Sequence, residues 1–208
     1  MIKFFIYLLI TLKLLNANNI YYESAVSQFD ALFNNTNKNI VMLGDSITER
    51  AHWKELTNRT DIINRGISGD TTEGLLKRVH KLSRNPKQIF IMIGVNDLII
   101  GKNVNYIFNN YKKILETLKN KDTEIFIQST LFIGEKAPIK YNRRIKLLNK
   151  QLEEYAKTNN IKYIDLNKVL APKEVLLNNY SFDGLHLTGN AYLEWVKIIN
   201  KYFKNAKP

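Results

Sequence analysis

A serine stands directly after an apolar run early in the chain, at a position suited to a nucleophile. Residues 40–43 are apolar and are predicted to form a buried strand, the run stops at Gly44, and Ser46 follows two residues later, where a helix is expected to begin. Its hydroxyl would therefore lie at the carboxyl end of a strand, beside backbone N–H groups that can stabilise an oxyanion. The same residues also fit a tight turn followed by a helix N-cap, in which Asp45 starts the helix or braces the loop.

A histidine and an aspartate near the C-terminus have the spacing of a catalytic pair. Asp183 and His186 are three residues apart and come just before the last predicted helix. One turn of chain can bring both side chains to the same side, so that the carboxylate orients the imidazole while its other nitrogen faces the serine. A histidine flanked by leucines also fits a structural role. The remaining histidines, His52 and His80, are predicted beside a tryptophan and on a solvated basic face.

Two further turns carry groups that could donate hydrogen bonds to an oxyanion. Gly69 lies in a glycine-containing segment after the second predicted strand, and Asn96 follows the third. The backbone N–H of Gly69 and the side-chain amide of Asn96 would both serve as donors if they faced the nucleophile. A turn glycine with positive φ and an asparagine that caps or turns the chain are the structural alternatives.

Alternating strand-like and helix-like segments are expected to position these residues. Because strands alternate with helices along the chain, the pattern favours a parallel sheet covered by helices on both faces. Active sites in such sheets lie at the carboxyl ends of the strands. The predicted strands are residues 40–43, 61–64, 88–93, 124–129 and 162–164; the predicted helices are residues 20–33, 48–57, 71–83, 104–120, 141–158 and 189–203.

Composition limits the classes of protein that the chain can represent. Its 208 residues suffice for one domain with a full core. The absence of cysteine excludes disulfides, a thiolate nucleophile and cysteine-ligated zinc, and three histidines leave little material for a histidine-rich metal centre. The formal net charge is +12. Since the lysines are dispersed and no aromatic–basic motif is present, we expect no nucleic acid partner and an electrostatic association with anionic envelope surfaces instead.

The N-terminus has the pattern of an export signal. Lys3 precedes an apolar run over residues 4–10, and Ala17 offers a small residue for cleavage. The run is too short for a membrane span, which needs about 20 apolar residues. We therefore predict a signal peptide over residues 1–17, a single domain over residues 18–208, and a periplasmic or secreted protein. An uncleaved anchor and a short buried helix are the alternatives.

Taken together, the four turn segments resemble the SGNH (GDSL-like) hydrolase superfamily. The resemblance runs in order from Gly44 to Thr188 and implies a flavodoxin-like three-layer α/β/α sandwich with a five-stranded parallel sheet. It implies a Ser46–His186–Asp183 triad and an oxyanion hole made by Ser46, Gly69 and Asn96. It also implies that neither a metal nor another cofactor is needed. The glycine-rich segment 64–72 and the segment 183–187 are similar to platelet-activating-factor acetylhydrolase-like and sialate O-acetylesterase-like members. Relatives often carry a proline in the region corresponding to residues 130–134, which this chain lacks.

These features predict a serine esterase that hydrolyses small acyl esters, foremost O-acetyl esters on a carbohydrate or another cell-envelope substrate. Residues 98–100 could wall an acyl pocket, although core packing explains them as well. The basic segment 135–144 could recognise an anionic group, or it could be a solvated loop and helix face. The alternatives are an O-acyltransferase acting on a glycan, a catalytically silent carbohydrate-binding module, and a basic protein that only binds anionic surfaces.

Overall fold

A five-stranded parallel sheet forms the centre of the protein. The computed structural model describes residues 20–120 and 122–204. The strands lie in the order β2-β1-β3-β4-β5, and each pairs in parallel with its neighbours. Their bounds are β1 Ile40–Gly44, β2 Ile62–Gly66, β3 Gln88–Met92, β4 Glu124–Gln128 and β5 Lys162–Ile164. The predicted α/β fold with five parallel strands is confirmed.

Helices connect the strands and cover the sheet. The first, α1, spans residues 20–32 of the described chain. The others are α2 Ser46–Glu49, α3 Trp53–Thr57, α4 Thr72–Arg78, α5 Val95–Ile99, α6 Val104–Leu118, α7 Asn142–Thr158, α8 Asn167–Leu170 and α9 Gly189–Asn200. Short 3₁₀ turns occupy Phe33–Asn35, Ile139–Tyr141 and Asn178–Tyr180.

The direction of the connections divides the helices between the two faces. The chain passes from β1 to β2 in one direction and then returns across β1 to β3, β4 and β5 in the other. Because such connections are right-handed, α3 lies on one face, and α4, α6 and α7 lie on the other. Contacts of α3 and α8 with α9 place these helices in the same layer. The direction reverses between β1 and β3, where open sheets of this type place their ligands.

The hydrophobic core is centred on β1 and β3. All five residues of each strand are buried, as expected for parallel strands covered on both faces. On one face of the sheet, the rings of Phe90 and Phe126 are stacked with centroids 4.3 Å apart. This buried centre provides a rigid support for the turns at the carboxyl ends of the strands.

The helix predicted over residues 48–57 is interrupted, and Asn64 explains the interruption. Its Nδ2 lies within 3.2 Å of the carbonyl oxygens of Thr48, Glu49 and Ala51, which would otherwise continue the hydrogen-bonding pattern of one helix. The chain therefore turns between α2 and α3. The other predicted helices are confirmed, with shorter C-terminal ends for most of them.

Asparagine side chains hold the segment after β4, in which the chain lacks the proline that is frequent in relatives. Asn149 accepts a hydrogen bond from Thr130 N at 2.8 Å and donates one to Thr130 O at 2.8 Å. Asn167 accepts from Phe132 N at 3.0 Å, and Asn142 accepts from Ile133 N at 2.8 Å. The loop is fixed by α7 and α8 rather than by a ring constraint on its own backbone.

The predicted signal peptide over residues 1–17 lies outside the described residues. Within the described part of the chain, no helix combines the length and the apolar character needed to cross a bilayer.

Candidate active site

The turn that carries Ser46 requires glycine at position 44, because a side chain there would displace neighbouring atoms. A Cβ at Gly44 would collide with the carbonyl oxygen of Met92 and with the side chain of Thr48. Asp45 is the N-cap of α2 and accepts a hydrogen bond from Ile47 N at 3.0 Å, so Ser46 is the first helical residue. Only 6% of Ser46 is exposed. The sequence thus fixes the serine at the end of β1 with a helix start behind it.

Ser46, His186 and Asp183 form one continuous hydrogen-bonded chain. Ser46 Oγ lies 3.1 Å from His186 Nε2, and His186 Nδ1 lies 2.6 Å from Asp183 Oδ2. With a proton on Nδ1, the histidine donates to the carboxylate, and its Nε2 accepts from the serine hydroxyl. The geometry is that of a nucleophile, a general base and a group that orients the base.

The turn before α9 is closed by hydrogen bonds that hold the acid and the base. Asp183 Oδ1 accepts from the backbone N–H groups of Leu185 at 2.9 Å and His186 at 2.8 Å. Ser181 Oγ accepts from Gly184 N at 2.8 Å and donates to His186 O at 2.7 Å. Sequence reasoning missed Ser181, although a serine three residues before a glycine is typical of side-chain-closed turns.

These contacts keep Asp183 ionised. Partial burial acts to raise its pKa, but hydrogen bonds from the His186 side chain and from the His186 and Leu185 backbones outweigh it, so the pKa of Asp183 is well below its usual range. A carboxylate that stays charged can fix the histidine tautomer and stabilise an imidazolium.

The two candidate oxyanion donors, Gly69 and Asn96, both lie next to Asp70. Gly69 has φ +75°, a conformation favoured by glycine, and its N–H has no acceptor within the part of the chain that the structure describes. Asn96 Nδ2 donates to the carbonyl oxygen of Asp70, the residue after Gly69, at 2.9 Å. The side-chain amide nitrogen of Asn96 carries two hydrogens, so its second N–H remains for a ligand. Gly69 and Asn96 therefore belong to neighbouring turns, which follow β2 and β3 on either side of β1.

Three buried carboxylates lie beneath the site. Burial raises the pKa of Asp45 to about 7, and its Oδ2 has no hydrogen-bond partner among the described residues. Burial also raises the pKa of Asp70 to about 6 against the opposing effect of Arg78, with which it pairs. Burial likewise raises the pKa of Asp97, which accepts from Thr72 N at 2.9 Å and Thr72 Oγ1 at 2.6 Å.

The surface beside Asp183 and beyond Asn96 is open and partly apolar. Phe182, adjacent to Asp183, is 82% exposed, and Ile99 and Ile100 are exposed after Asn96, while Leu98 is part of the core. Of the residues 98–100 considered as a pocket wall, only the last two are at the surface. Sequence reasoning missed the exposed Phe182, and burial could not be inferred from the residue type alone.

The basic segment 135–144 borders this surface on two sides. Gly134 N, directly before the segment, donates to Gly184 O at 2.7 Å, in the turn between Asp183 and His186. Tyr141 OH donates to Ile99 O at 3.4 Å. Four exposed cations in it form no ion pair within residues 20–120 and 122–204: Lys136, Lys140, Arg143 and Arg144.

A sizeable open cleft lies away from Ser46, Asp183 and His186. A cavity of about 640 Å³ is lined by residues of α6, β4, α7 and β5, among them Tyr155 and Lys162. It is not lined by Ser46, Asp183 or His186 and lies toward the amino-terminal edge of the sheet. In the described residues, no group of three or more His, Asp or Glu side chains could hold a metal ion.

Comparisons with known structures agree with this architecture. A solved structure reported as a platelet activating factor from Streptococcus pneumonia is 27% identical, with a TM-score of 0.85 over 93% of this chain and 98% of that one. A GDSL-like lipase from Bacteroides thetaiotaomicron VPI-5482 is 26% identical, with a TM-score of 0.73 over 87% and 96%. The lipase/acylhydrolase from Enterococcus faecalis is 25% identical, with a TM-score of 0.69 over 82% and 100%.

Sequence comparison gives a second set of relatives and the family. The chain is 29% identical over 175 residues to an N-acylneuraminate cytidylyltransferase from Streptococcus agalactiae serotype V, a match that covers 84% of this chain and 40% of that protein. The chain thus spans about two fifths of the length of the curated relatives it matches. Residues 42–193, which include Ser46, Gly69, Asn96, Asp183 and His186, match the GDSL-like Lipase/Acylhydrolase family. The chain belongs to this family.

Proposed function

We propose that the chain is a serine esterase that hydrolyses small acyl esters through an acyl-enzyme. The hydrogen-bonded chain from Ser46 Oγ through His186 to Asp183 carries this proposal. Membership of an acylhydrolase family supports ester chemistry. Since the acid, the base and the nucleophile are already within hydrogen-bonding distance, no rearrangement is needed before substrate binds.

The reaction begins with transfer of the Ser46 proton to His186 Nε2 as Ser46 Oγ attacks the ester carbonyl carbon. The tetrahedral oxyanion accepts hydrogen bonds from the N–H of Ser46, the N–H of Gly69 and the side-chain amide of Asn96. Asp183 holds the imidazole and stabilises its positive charge. Collapse of the intermediate breaks the bond to the leaving alcohol, which takes the proton from His186 and leaves an acyl-Ser46.

Water then repeats the sequence on the acyl-enzyme. His186 takes one proton from the water, the hydroxide oxygen attacks the acyl carbon, and Ser46 recovers its proton as the free acid leaves. The same acyl-enzyme would become a transferase if a sugar hydroxyl replaced water. The exposure of Asp183 and of neighbouring Phe182 favours water as the acceptor, because an open site does not exclude solvent.

The open surface favours a short acyl group on a bulky carrier. An acetyl group fits a site without an enclosed pocket, whereas a long acyl chain would stay in water. We propose a carbohydrate carrier, and the curated relatives that are named for N-acylneuraminate favour an acidic sugar. Lys136, Lys140, Arg143 and Arg144, which form no ion pair with any described residue, would attract the carboxylate of such a sugar. We also propose export of the protein by residues 1–17, in agreement with an envelope glycan as substrate.

The proposal is tested by hydrolysis of p-nitrophenyl esters of increasing acyl length, with the full chain and its Ser46→Ala variant. We expect the highest kcat/KM on the acetate, a decrease with acyl length, and loss of turnover in Ser46→Ala. Equal rates for the folded wild type and the variant would contradict it. In that case, retained affinity for a glycan would indicate a silent binding module, and glycan binding abolished by moderate salt would indicate a surface-binding protein.

A second assay identifies the carrier and the acceptor. The full chain is incubated with an O-acetylated sialic acid and with a neutral O-acetylated sugar, and the acetyl group is traced. We expect free acetate, released faster from the acidic sugar. Acetate that reappears on a second glycan would show transfer, and equal rates on the two sugars would remove the role proposed for the four cations.

A further inference from the structure

We propose that Arg78 is a positioning residue that holds the oxyanion donors Gly69 and Asn96 in place relative to Ser46. The inference rests on the proposed esterase function. Arg78 lies in the last turn of α4 and makes no hydrogen bond to Ser46, Asp183 or His186. Its influence on catalysis would pass through the turns that it joins.

One guanidinium group links the ends of two strands to the loop that follows them. Arg78 Nε and Nη2 donate to Asp70 Oδ2 at 2.8 and 2.6 Å. Its Nη1 donates to Arg65 O at 3.0 Å, and its Nη2 also donates to Gly44 O at 3.0 Å. Gly44 ends β1, two residues before Ser46, and Arg65 lies near the end of β2. The planar, five-donor guanidinium makes these contacts at once, which the single ammonium of lysine could not do.

Asp70 passes this constraint to both donors. It follows Gly69 directly, and its carbonyl oxygen accepts from Asn96 Nδ2 at 2.9 Å. Its other carboxylate oxygen, Oδ1, accepts from Thr71 N at 2.8 Å. Because the Asp70 side chain is fixed by Arg78, Asp70 is held in place with respect to Gly44. The adjoining residue Gly69 and the Asn96 amide, which donates to the Asp70 carbonyl oxygen, are held with it. A displacement near 1 Å in such a group can cost about 10²-fold in rate.

The ion pair between Arg78 and Asp70 is buried, which makes its geometry rigid. The side chains of Arg78 and Asp70 are 3% and 1% exposed. Phe29 of α1 lies over the guanidinium, with its ring centroid 5.8 Å from Arg78 Cζ, and shields that side. Hydrogen bonds in such a dry environment are stronger and more directional than at the surface. Since buried ion pairs often add little to stability, the arrangement is better explained by the orientation of the loop.

Arg65 offers a matched control for the test. It is equally buried and lies against the same Phe29 ring at 4.4 Å. Its side chain donates to Leu82 O at 2.9 Å and to Asn64 O at 3.3 Å, and no hydrogen bond joins it to Gly69, Asp70 or Asn96. Arg65→Lys therefore repeats the loss of a buried guanidinium without releasing Asp70, and it keeps the backbone carbonyl that accepts from Arg78.

The experiment compares Arg78→Lys with Arg65→Lys in the full chain, by p-nitrophenyl acetate kinetics and thermal unfolding. We expect kcat of Arg78→Lys to fall roughly 10- to 100-fold with KM within about threefold, as for an interaction realised in the transition state. Arg65→Lys is expected to keep kcat within about twofold, and thermal unfolding measures the stability that each variant loses. An unchanged kcat in folded Arg78→Lys, or an equal decrease in both variants, would overturn the proposal.

A double variant tests whether Arg78 acts through the donors. If it does, Arg78→Lys lowers kcat less in an Asn96→Ala background than in the wild type, whereas multiplying effects would contradict the inference. If Arg78→Lys does not fold, the neutral pair Asp70→Asn/Arg78→Gln replaces it and must lower kcat in the same way. Failure of the proposed function would be recognised separately, because the wild type would then hydrolyse no faster than Ser46→Ala.

Discussion

The variant Asn96→Ala is expected to lower kcat much more than it lowers the free energy of unfolding. Asn96 is half-buried at the start of α5, and its Nδ2 makes one described hydrogen bond, to Asp70 O at 2.9 Å. In the proposed mechanism, its second N–H binds the oxyanion. Asn96→Ala therefore removes one structural hydrogen bond and one donor to the transition state.

The two losses differ in size. A neutral hydrogen bond contributes about 1 kcal/mol to stability, so Asn96→Ala should lower the free energy of unfolding by about that amount. The loss of one oxyanion donor costs about 10²–10³ in kcat, equivalent to about 3–4 kcal/mol. We expect a folded protein with a KM close to that of the wild type, because the donor binds the charge that develops in the transition state more strongly than the ground-state ester.

The assay is p-nitrophenyl acetate turnover, with urea unfolding of the same preparation. Asn96→Asp provides a nearly isosteric comparison. It retains the shape of the side chain but places negative charge beside the developing oxyanion, and it should lower kcat at least as much as Asn96→Ala. Wild-type kcat in folded Asn96→Ala would refute the role of this residue. A loss of activity that only parallels the unfolded fraction would also refute it.

Three further predictions concern the other turns. Asp183→Asn should lower kcat by about 10⁴-fold through loss of the correct histidine tautomer. The pKa of Asp183 is well below its usual range, so a kcat–pH profile of the wild type should show no separate ionisation of this group above about pH 4. Burial raises the pKa of Asp45 to about 7, so the folded state keeps a proton that the unfolded chain loses near pH 4, and stability falls as the pH rises from about 4 to about 7. In thermal melts, Asp45→Asn should show a smaller decrease than the wild type, since Asp70 and Asp97, whose pKa values burial also raises, still contribute to it. An equal decrease in the variant would contradict the assignment. Gly184 has φ +82° in a tight turn, so Gly184→Ala should destabilise the protein by roughly 1–3 kcal/mol and lower its activity. The control is Gly189→Ala, whose new Cβ would have open space around it. It should leave the melting temperature and the kinetics unchanged.

The sheet could be predicted from the sequence because its central strands are buried on both faces. Such strands appear as uninterrupted apolar runs, and β1 and β3 were recognised in this way. The interruption between α2 and α3 was not predictable from periodicity. It depends on the Asn64 side chain, which lies in the next strand and competes for the carbonyl groups of the helix. The periodicity of residues 48–57 carries no information about a side chain in another element that bonds to their carbonyl groups.

The same distinction applies to the candidate site. Ser46, Asp183 and His186 could be named because short turns place them next to predicted elements, and the structure joins them by hydrogen bonds. Arg78 could not be named, since its partners are mainly backbone carbonyls and a carboxylate that come together only in the folded chain. On the sequence, it is one more basic residue near a helix C-terminus, where such residues are common.

The contact between Ser46 and His186 joins residues that are 140 positions apart, and aromatic side chains away from the site hold that distance. Trp53 Nε1 donates to Thr48 O at 2.9 Å, which fixes α3 to the end of α2. Its ring packs edge-on against Trp195 of α9 with centroids 5.0 Å apart, and Tyr192 OH donates to Ile47 O at 2.7 Å. The helix after the histidine is thereby bonded to the helix that carries the serine. Because a close-packed interior resists small displacements, this packing keeps the nucleophile and the base at hydrogen-bonding distance even though the turn that carries Asp183 and His186 is open to solvent.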